Sequence, residues 1–519
     1  MECDEAKDPG SGPRPGALPS ELWLKIAEDL GETSSLYPFA MTCRFFRHIQ
    51  KELAKLHGTK GHLRTNFKRM LQARELSPPS PSFLQWCHQN KGEVGVGLRR
   101  KLNTNLALLG AALGSLETLM WLRGEGFDPL SAETFQFAAV GGHMNVISWL
   151  ASEKCPWGEE TCASAAEGGH LSVLKFLRSK GCPWNQWTCS NAAKEGHLEV
   201  LRWARNLEDG GRCPWSDLAT AEASSQGHLD VLKYLRENGC PWDEYSCSEA
   251  ALGGHSGVLK WLHENDCPWD GESVCASAAF GGHLSVLKYA RARGCEWGTS
   301  TTTRAAEGGH LDVLKYAREN GCPWDGYACT HAAEAGHLDV LKYARENGCP
   351  WMEDKLCDAA AFGGHLDVLI YLRGEGCTWS ESTTIQVAGG GHYKLLKWLH
   401  ENGCPWNEET CRAAAEAGHL EILRWARSQG CPWNEVMICR CAAEGGHLEI
   451  LKYARDNGCP WDEMTCWAAA QGGHIDCLVW ARAQDPPCPW FMQECYQGAV
   501  MRNHLLVVDY IVDEFSYWE

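Results

Sequence analysis

The sequence has no apolar run approaching the roughly 18–20 residues needed to span a lipid bilayer. Its first eight residues, Met1 to Asp8, are acidic and polar, so no secretory signal is expected there. Basic residues are in the minority, with 48 Lys and Arg against 66 Asp and Glu and a net charge of −18. This balance argues against non-specific binding to nucleic acid or anionic membranes. We therefore expect a cytoplasmic or nuclear protein that binds neither a membrane nor nucleic acid.

Motifs of enzyme sites are also missing. The sequence shows no nucleophile elbow, P-loop, His-Glu-x-x-His motif or dinucleotide fingerprint. We therefore predict no catalytic residues, no cofactor and no enzyme activity.

Histidine, in contrast, recurs at an almost constant spacing. Most steps are 27 or 28 residues, and steps of 31 and 30 residues follow His197 and His474. A fixed period of this size predicts a solenoid, in which each repeat buries its apolar surface against its neighbours. The recurring histidines are His143, His170, His197, His228, His255, His283, His310, His337, His365, His392, His419, His447, His474 and His504.

Each repeat reads as two short helices. The clearest copy, residues 309–324, is Gly-His-Leu-Asp-Val-Leu-Lys-Tyr-Ala-Arg-Glu-Asn-Gly-Cys-Pro-Trp. In another copy Asn407 is a predicted N-cap, and Gly418 is predicted to end the first helix before the histidine opens the second. The second helix, for example residues 311–319, is apolar over more than half its circumference, as contact with two neighbours requires.

Paired alanines, a Gly-His turn, Leu-x-Val-Leu-Lys-Tyr and a closing glycine together resemble the ankyrin repeat. The resemblance covers about residues 102–519, and it implies an all-α, ankyrin-like helical-repeat solenoid that binds proteins. Counting a first repeat in which Ser115 replaces the histidine gives about fifteen repeats. The period is about six residues shorter than the ankyrin period of 33. The missing residues fall where ankyrin repeats extend a β-hairpin, so the resemblance concerns the helix pair.

A longer period is also present. His283, His365 and His447 are each 82 residues apart, and Phe280 and Phe362 share the same spacing. The array therefore grew by duplication of three repeats at a time.

The N-terminal region has a different pattern. Residues 1–16 form a Pro/Gly-rich tail that we predict to be disordered. Apolar residues then follow a Leu-Pro-x-Glu-Leu motif at helical spacing, before Cys-Arg-Phe-Phe-Arg at residues 43–47. This pattern resembles the F-box, within a helical module assigned to residues 17–60, with phenylalanine in place of the usual tryptophan. Residues 61–101 are predicted to be a linker or helical cap.

The F-box resemblance implies docking on the Skp-type adaptor of a cullin–RING (SCF-type) ubiquitin ligase. The protein would then be a substrate receptor whose array holds the target. The adaptor-binding residues would be Leu18, Pro19, Leu22, Ile26 and Leu30. The alternative is a plain ankyrin-repeat scaffold in which these N-terminal helices only cap the array.

The 28 cysteines fall mostly at two fixed positions of the repeat, so their number follows from duplication. Zinc binding is one interpretation of Cys155, Cys162 and His170 and of their counterparts. Structural zinc sites usually use closely spaced ligand pairs, whereas these spacings are seven and eight residues. Thr302 and Thr384 also replace the second cysteine. We therefore predict free thiols that act as small buried apolar groups, and no metal site.

One tryptophan per repeat, as at Trp324, predicts packing between repeats more than a ligand-binding stripe. Lys315 and Arg318 could indicate nucleic-acid binding, but Asp312 and Glu319 lie beside them and offset their charge. The histidines share one structural position, so we interpret them as groups that tether the turn.

Candidate recognition residues are those that vary between repeats while the frame stays fixed. They cluster on the first helix, and exposed aromatic residues there would be binding anchors. The predicted target-binding residues are Trp187, Tyr245, Phe280, Tyr327, His331, Phe362, Arg412 and Trp467. The sequence does not name the target.

Overall fold

A computed structural model describes residues 106–206 and 211–516, and all regular structure in these ranges is helical. The helices alternate as the first and second members of a pair. The predicted all-α helical-repeat fold is therefore confirmed for this part of the chain. The tail, the F-box-like module and the linker predicted within residues 1–101 lie outside the described residues.

Short helices of eight to twelve residues make up the repeats. A helical stretch at 106–112 comes first, followed by α1 (Leu116–Gly124), which is the second helix of its pair. The later first helices are α2 (Ala132–Gly141), α4 (Glu159–Glu167), α6 (Gln186–Lys194), α8 (Asp217–Ser225), α10 (Glu244–Leu252), α12 (Gly271–Phe280), α14 (Thr299–Glu307), α16 (Gly326–Ala335), α18 (Glu353–Gly363), α20 (Glu381–Gly389), α22 (Glu408–Glu416), α24 (Glu435–Glu444), α26 (Glu463–Gly472) and α28 (Met492–Met501).

The second helices follow in the same order. They are α3 (Met144–Ser152), α5 (Leu171–Ser179), α7 (Leu198–Arg205), α9 (Leu229–Glu237), α11 (Ser256–Glu264), α13 (Leu284–Ala292), α15 (Leu311–Glu319), α17 (Leu338–Glu346), α19 (Leu366–Gly374), α21 (Tyr393–Glu401), α23 (Leu420–Ser428), α25 (Leu448–Asp456), α27 (Ile475–Arg482) and α29 (Leu505–Ser516). Within the described ranges none of the helices is long and apolar enough to cross a membrane.

The described residues divide into two compact units between Ser246 and Cys247, so the division falls inside α10. In the N-terminal unit, first helices α2, α4, α6 and α8 pack successively against one another. In the C-terminal unit, the first helices from α12 to α28 do the same. Each repeat thus buries its surface against the next, as the sequence period predicts.

Small residues allow the first helices to approach closely. In α16, Ala328, Cys329, Ala332 and Ala333 are all fully buried. The predicted ends of these helices are confirmed in α22. There the Asn407 side chain accepts a hydrogen bond from the Glu409 backbone N–H at 3.0 Å, and Gly418 has a φ of +84°.

The second helices supply the larger core side chains. In α15, Val313, Leu314 and Ala317 have no exposed surface, whereas Lys315 and Glu319 face outward. Burying a leucine or valine side chain contributes about 1.5–3 kcal/mol. The apolar arc predicted for this helix therefore supplies the largest of the repeat's fully buried side chains.

Candidate functional site

The recurring histidines link consecutive repeats. His337 Nε2 donates to the Glu307 carbonyl oxygen at 3.1 Å, and His447 Nε2 donates to the Glu416 carbonyl oxygen at 2.9 Å. In each bond of this kind that the structure shows, the acceptor lies three positions before the histidine of the preceding repeat, or before Ser115 in the first repeat. Each ring therefore tethers two repeats together as well as opening its own second helix. The histidine Nε2 that donates this hydrogen bond therefore has a structural role, as the sequence pattern predicts.

The cysteines of the Cys-Pro-Trp loops also bond to the preceding repeat. Cys322 Sγ donates to the Gly298 carbonyl oxygen at 3.3 Å, and burial raises the pKa of this thiol to about 11. At the second cysteine position, the Thr302 hydroxyl donates to the Pro323 carbonyl oxygen at 2.9 Å. A hydroxyl can thus take the place of the thiol. Within residues 106–206 and 211–516 no three His, Cys, Asp or Glu side chains are placed to hold a metal ion.

Several loop tryptophans, among them Trp324, pack between an arginine and an aromatic ring. The Arg318 guanidinium lies 4.2 Å from the centroid of the Trp324 ring, and it also donates to the Cys322 carbonyl oxygen. Trp324 in turn meets Tyr343 of the next second helix edge to face, with centroids 6.4 Å apart. These contacts confirm that the tryptophans pack between repeats.

On one side of each first helix the side chains take no part in these histidine, loop-cysteine and loop-tryptophan contacts. Positions 10, 7, 6 and 3 before the histidine follow i, i+3, i+4 and i+7 spacing, so they share one helical face. We call this the first-helix face. In α16 it consists of Tyr327, Thr330, His331 and Glu334, which are exposed or half-buried.

All eight predicted target-binding residues lie on the first-helix faces. In the C-terminal unit, the exposed fractions of Tyr327 and Phe362 are 54% and 52%, and that of Phe280 is 37%. In the N-terminal unit, Trp187 is 44% exposed and Tyr245 is 64% exposed. The remaining three predicted residues are half-buried, and they are His331, Arg412 and Trp467.

Two of the half-buried residues already have partners within the chain. Arg412 Nε lies 2.5 Å from the Glu409 carboxylate, and its Nη1 lies 2.6 Å from that of Glu416. The bond to Glu409 raises the pKa of Arg412. The Arg440 guanidinium lies 5.9 Å from the Trp467 ring. The exposed aromatic side chains are therefore the more available groups.

Charge is segregated between the two helices of the repeat. The eight helix pairs from α12 to α27 show this segregation when each first helix is taken together with its N-cap residue. The first helices carry sixteen Asp or Glu and four Lys or Arg, whereas the second helices carry ten acidic and fourteen basic residues. The acidic excess of this region thus lies on the first helices. The net charge of the chain does not show this difference between first and second helices. A count of acidic and basic residues at each position of the repeat would have found it from the sequence.

Comparisons with known proteins give no family assignment. No family model and no curated protein matches the chain. The human ASB11 ankyrin repeat domain shares 22% identity over 31% of this chain and 84% of its own, with a TM-score of 0.26. The pentatricopeptide repeat protein PPR10, in complex with an 18-nt psaJ RNA element, shares 12% identity over 93% of this chain and 89% of its own, with a TM-score of 0.32. PPR10 from maize shares 13% sequence identity over 86% of this chain and 88% of its own, with a TM-score of 0.29.

These scores are too low to transfer a function to this chain. The described helix pairs nevertheless define the class of the molecule by themselves, because they repeat with one frame and pack successively within each compact unit. The chain is a helical-repeat protein.

Proposed function

We propose that this protein is a protein-binding scaffold that holds its target on the first-helix faces. The observation that carries the proposal is the exposure of large aromatic side chains there, above all Tyr327 and Phe362. Exposed aromatic groups are typical anchors of protein interfaces. The frame residues of the repeat are occupied by packing, which leaves this face for recognition.

Site-specific photocrosslinking tests the scaffold function. A photoreactive phenylalanine derivative replaces Tyr327 in the full chain, and a matched variant carries it at Ile370. Ile370 is also exposed, at 51%, but it lies on the second helix α19. We expect a discrete protein adduct from position 327 and none from position 370. Adducts of equal yield from both positions would rule out the first-helix face as the specific surface.

We further propose that the scaffold is the substrate receptor of a cullin–RING ubiquitin ligase. The support for this proposal is the F-box-like sequence, in which Leu22, Ile26 and Leu30 follow Leu18 and Pro19 at the four-residue spacing of a helical apolar stripe. An apolar stripe of this kind fits a groove on a helical adaptor.

Co-purification of the full chain with the Skp-type adaptor tests the ligase function. The wild-type chain should form a stoichiometric complex. The Leu22→Asp/Ile26→Asp variant should lose it, because two charges would enter an apolar interface. Failure of the wild-type chain to bind would leave the alternative, a scaffold without a ubiquitin connection whose N-terminal helices form a cap.

A further inference from the structure

Residues three positions before each histidine form a row along the first helices of the C-terminal unit. The backbone places them side by side, because the carbonyl group of each row residue contacts the next repeat. A Cβ atom at Gly308 would come within 2.4 Å of the Phe280 carbonyl oxygen, and one at Gly363 within 2.0 Å of that of Glu334. The Phe362 carbonyl oxygen accepts from His392 Nε2 at 2.8 Å. From α12 to α18 the row is Phe280, Glu307, Glu334 and Phe362.

One part of this row binds a guanidinium group of the protein itself. The Arg304 guanidinium lies 5.0 Å from the centroid of the Phe280 ring, and its Nη1 donates to the Glu307 carboxylate at 2.9 Å. A row phenylalanine supplies the ring face and a row glutamate supplies the charge. This combination is favourable for a cation that is partly removed from water.

The duplicated part of the row lacks this internal cation. Residues 82 positions after Arg304 and Glu307 are Gln386 and Gly389. Within the described residues no lysine or arginine lies over the Phe362 ring, and Glu334 forms no ion pair. Phe362 is accordingly more exposed than Phe280, at 52% against 37%. Glu334 stands beside Phe362 in the row, where the corresponding neighbour of Phe280 is Leu252.

We propose that Phe362 and Glu334 bind an arginine side chain from a basic segment of the partner protein. This inference rests on the proposed scaffold function, and it specifies the chemistry of the partner. The guanidinium would stack on the Phe362 ring as Arg304 stacks on Phe280, and it would pair with the Glu334 carboxylate. Gln386 stands where Arg304 stands 82 residues earlier, so the arginine that covers Phe280 has no counterpart beside Phe362.

The surrounding surface favours the same kind of partner. The eight first helices from α12 to α26 carry a four-to-one excess of acidic over basic residues. Such a surface attracts a basic polypeptide and repels nucleic acid. Glu353 is exposed at the start of α18, and it too forms no ion pair within the described residues. The occupant is therefore an arginine-containing protein segment.

Binding of a labelled peptide of six Gly-Ser-Arg repeats to the full-length protein tests the proposal, with fluorescence anisotropy at about 0.15 M salt as the measurement. Three variants should each weaken binding at least fivefold, for separate reasons. Phe362→Leu removes the aromatic ring, Glu334→Gln removes the charge, and Gln386→Arg places an internal guanidinium over the ring. A peptide with glutamine in place of arginine should not bind.

The duplicated site provides matched controls. Phe280→Leu should change the peptide affinity less than twofold, because Arg304 already covers that ring. Arg304→Gln uncovers the ring beside Glu307, and it should raise the number of bound peptides. Equal affinity for all variants would overturn the proposal, since it would indicate general attraction to the net charge of −18. Absence of wild-type binding would overturn it as well.

The two proposals fail in different ways. If the peptide does not bind but the photoreactive group at position 327 still gives a discrete adduct, the arginine site is wrong and the scaffold function stands. If position 327 gives no adduct while the peptide binds through Phe362, the acidic row recognises arginine but the proposed extent of the target surface is wrong.

Discussion

At the residue scale, the same amino acids serve different purposes according to their place in the repeat. Left-handed glycines that directly precede the recurring histidines contact the histidine ring of the next repeat. Gly364 has a φ of +81°, and a Cβ atom there would lie 2.4 Å from His392 Nδ1. Gly321 has a φ of +82°, but nothing lies within 4 Å of such an atom. The sequence shows glycine at both positions. It does not show that Gly321 is needed only for its positive φ, whereas Gly364 is needed also because a side chain would clash with the histidine ring.

These two glycines give a matched pair of substitutions. Gly321→Ala should destabilise the protein by about 1–2 kcal/mol, the cost of placing an L-residue in the left-handed region. Gly364→Ala should cost at least about 3 kcal/mol, because the same cost is joined by a steric clash with the tethering histidine. Urea unfolding measures both. Equal losses for the two variants would show that the ring does not restrict position 364.

Histidine tethering also gives the protein a pH dependence. Burial lowers the pKa of His170 and His474 below the ordinary value of 6.5, and the neighbouring histidines lower it further. The unfolded chain therefore binds protons that the folded chain does not, so stability falls as the pH decreases below about 6.5. The thermal midpoint should be lower at about pH 5.5 than at about pH 7.5.

Histidine variants test the origin of this pH dependence. His170→Asn/His474→Asn should be less stable than the wild type at neutral pH, because two inter-repeat hydrogen bonds are lost at about 1 kcal/mol each. Its thermal midpoint should nevertheless change less between the two pH values. An unchanged pH dependence in this variant would assign the effect to other groups.

At the element scale, the helix pair was largely predictable from the sequence. N-caps, the closing glycine and the apolar arc of the second helix are local features, and Asn407 and Gly418 occupy the expected positions. The partners of the recurring polar side chains were not predictable. His337 finds its acceptor thirty residues earlier, at Glu307, and a period shows which residues recur without showing which atoms meet.

The candidate site was predictable to a similar degree. Variation between repeats indicated Tyr327 and Phe362, and both are exposed. The stacking of Arg304 on Phe280, and the absence of a counterpart on Phe362, required distances between repeats. The 82-residue period relates Phe280 to Phe362 in the sequence. The structure adds the reason for their different exposure, because Arg304 lies over the Phe280 ring.

At the scale of the whole molecule, the repeated frame and the recognition surface are separate sets of residues. Frame side chains are buried or hydrogen-bonded between repeats, and each compact unit presents its own row of first-helix faces. Repeat proteins can therefore change their surface residues with little loss of stability, because each repeat contacts only its neighbours.

The most direct test is a capture experiment with the target that the cross-linking identifies. The amount of this target bound by the full chain carrying Tyr327→Ala/Phe362→Ala is measured beside that bound by Ile370→Ala and by the wild type. All three proteins should share a thermal midpoint within about 2 °C, since exposed substitutions change stability by less than about 0.5 kcal/mol. The double variant should capture at least tenfold less target than the wild type, and Ile370→Ala should capture as much as the wild type. Full target capture by a stably folded double variant would show that the first-helix faces do not hold the target.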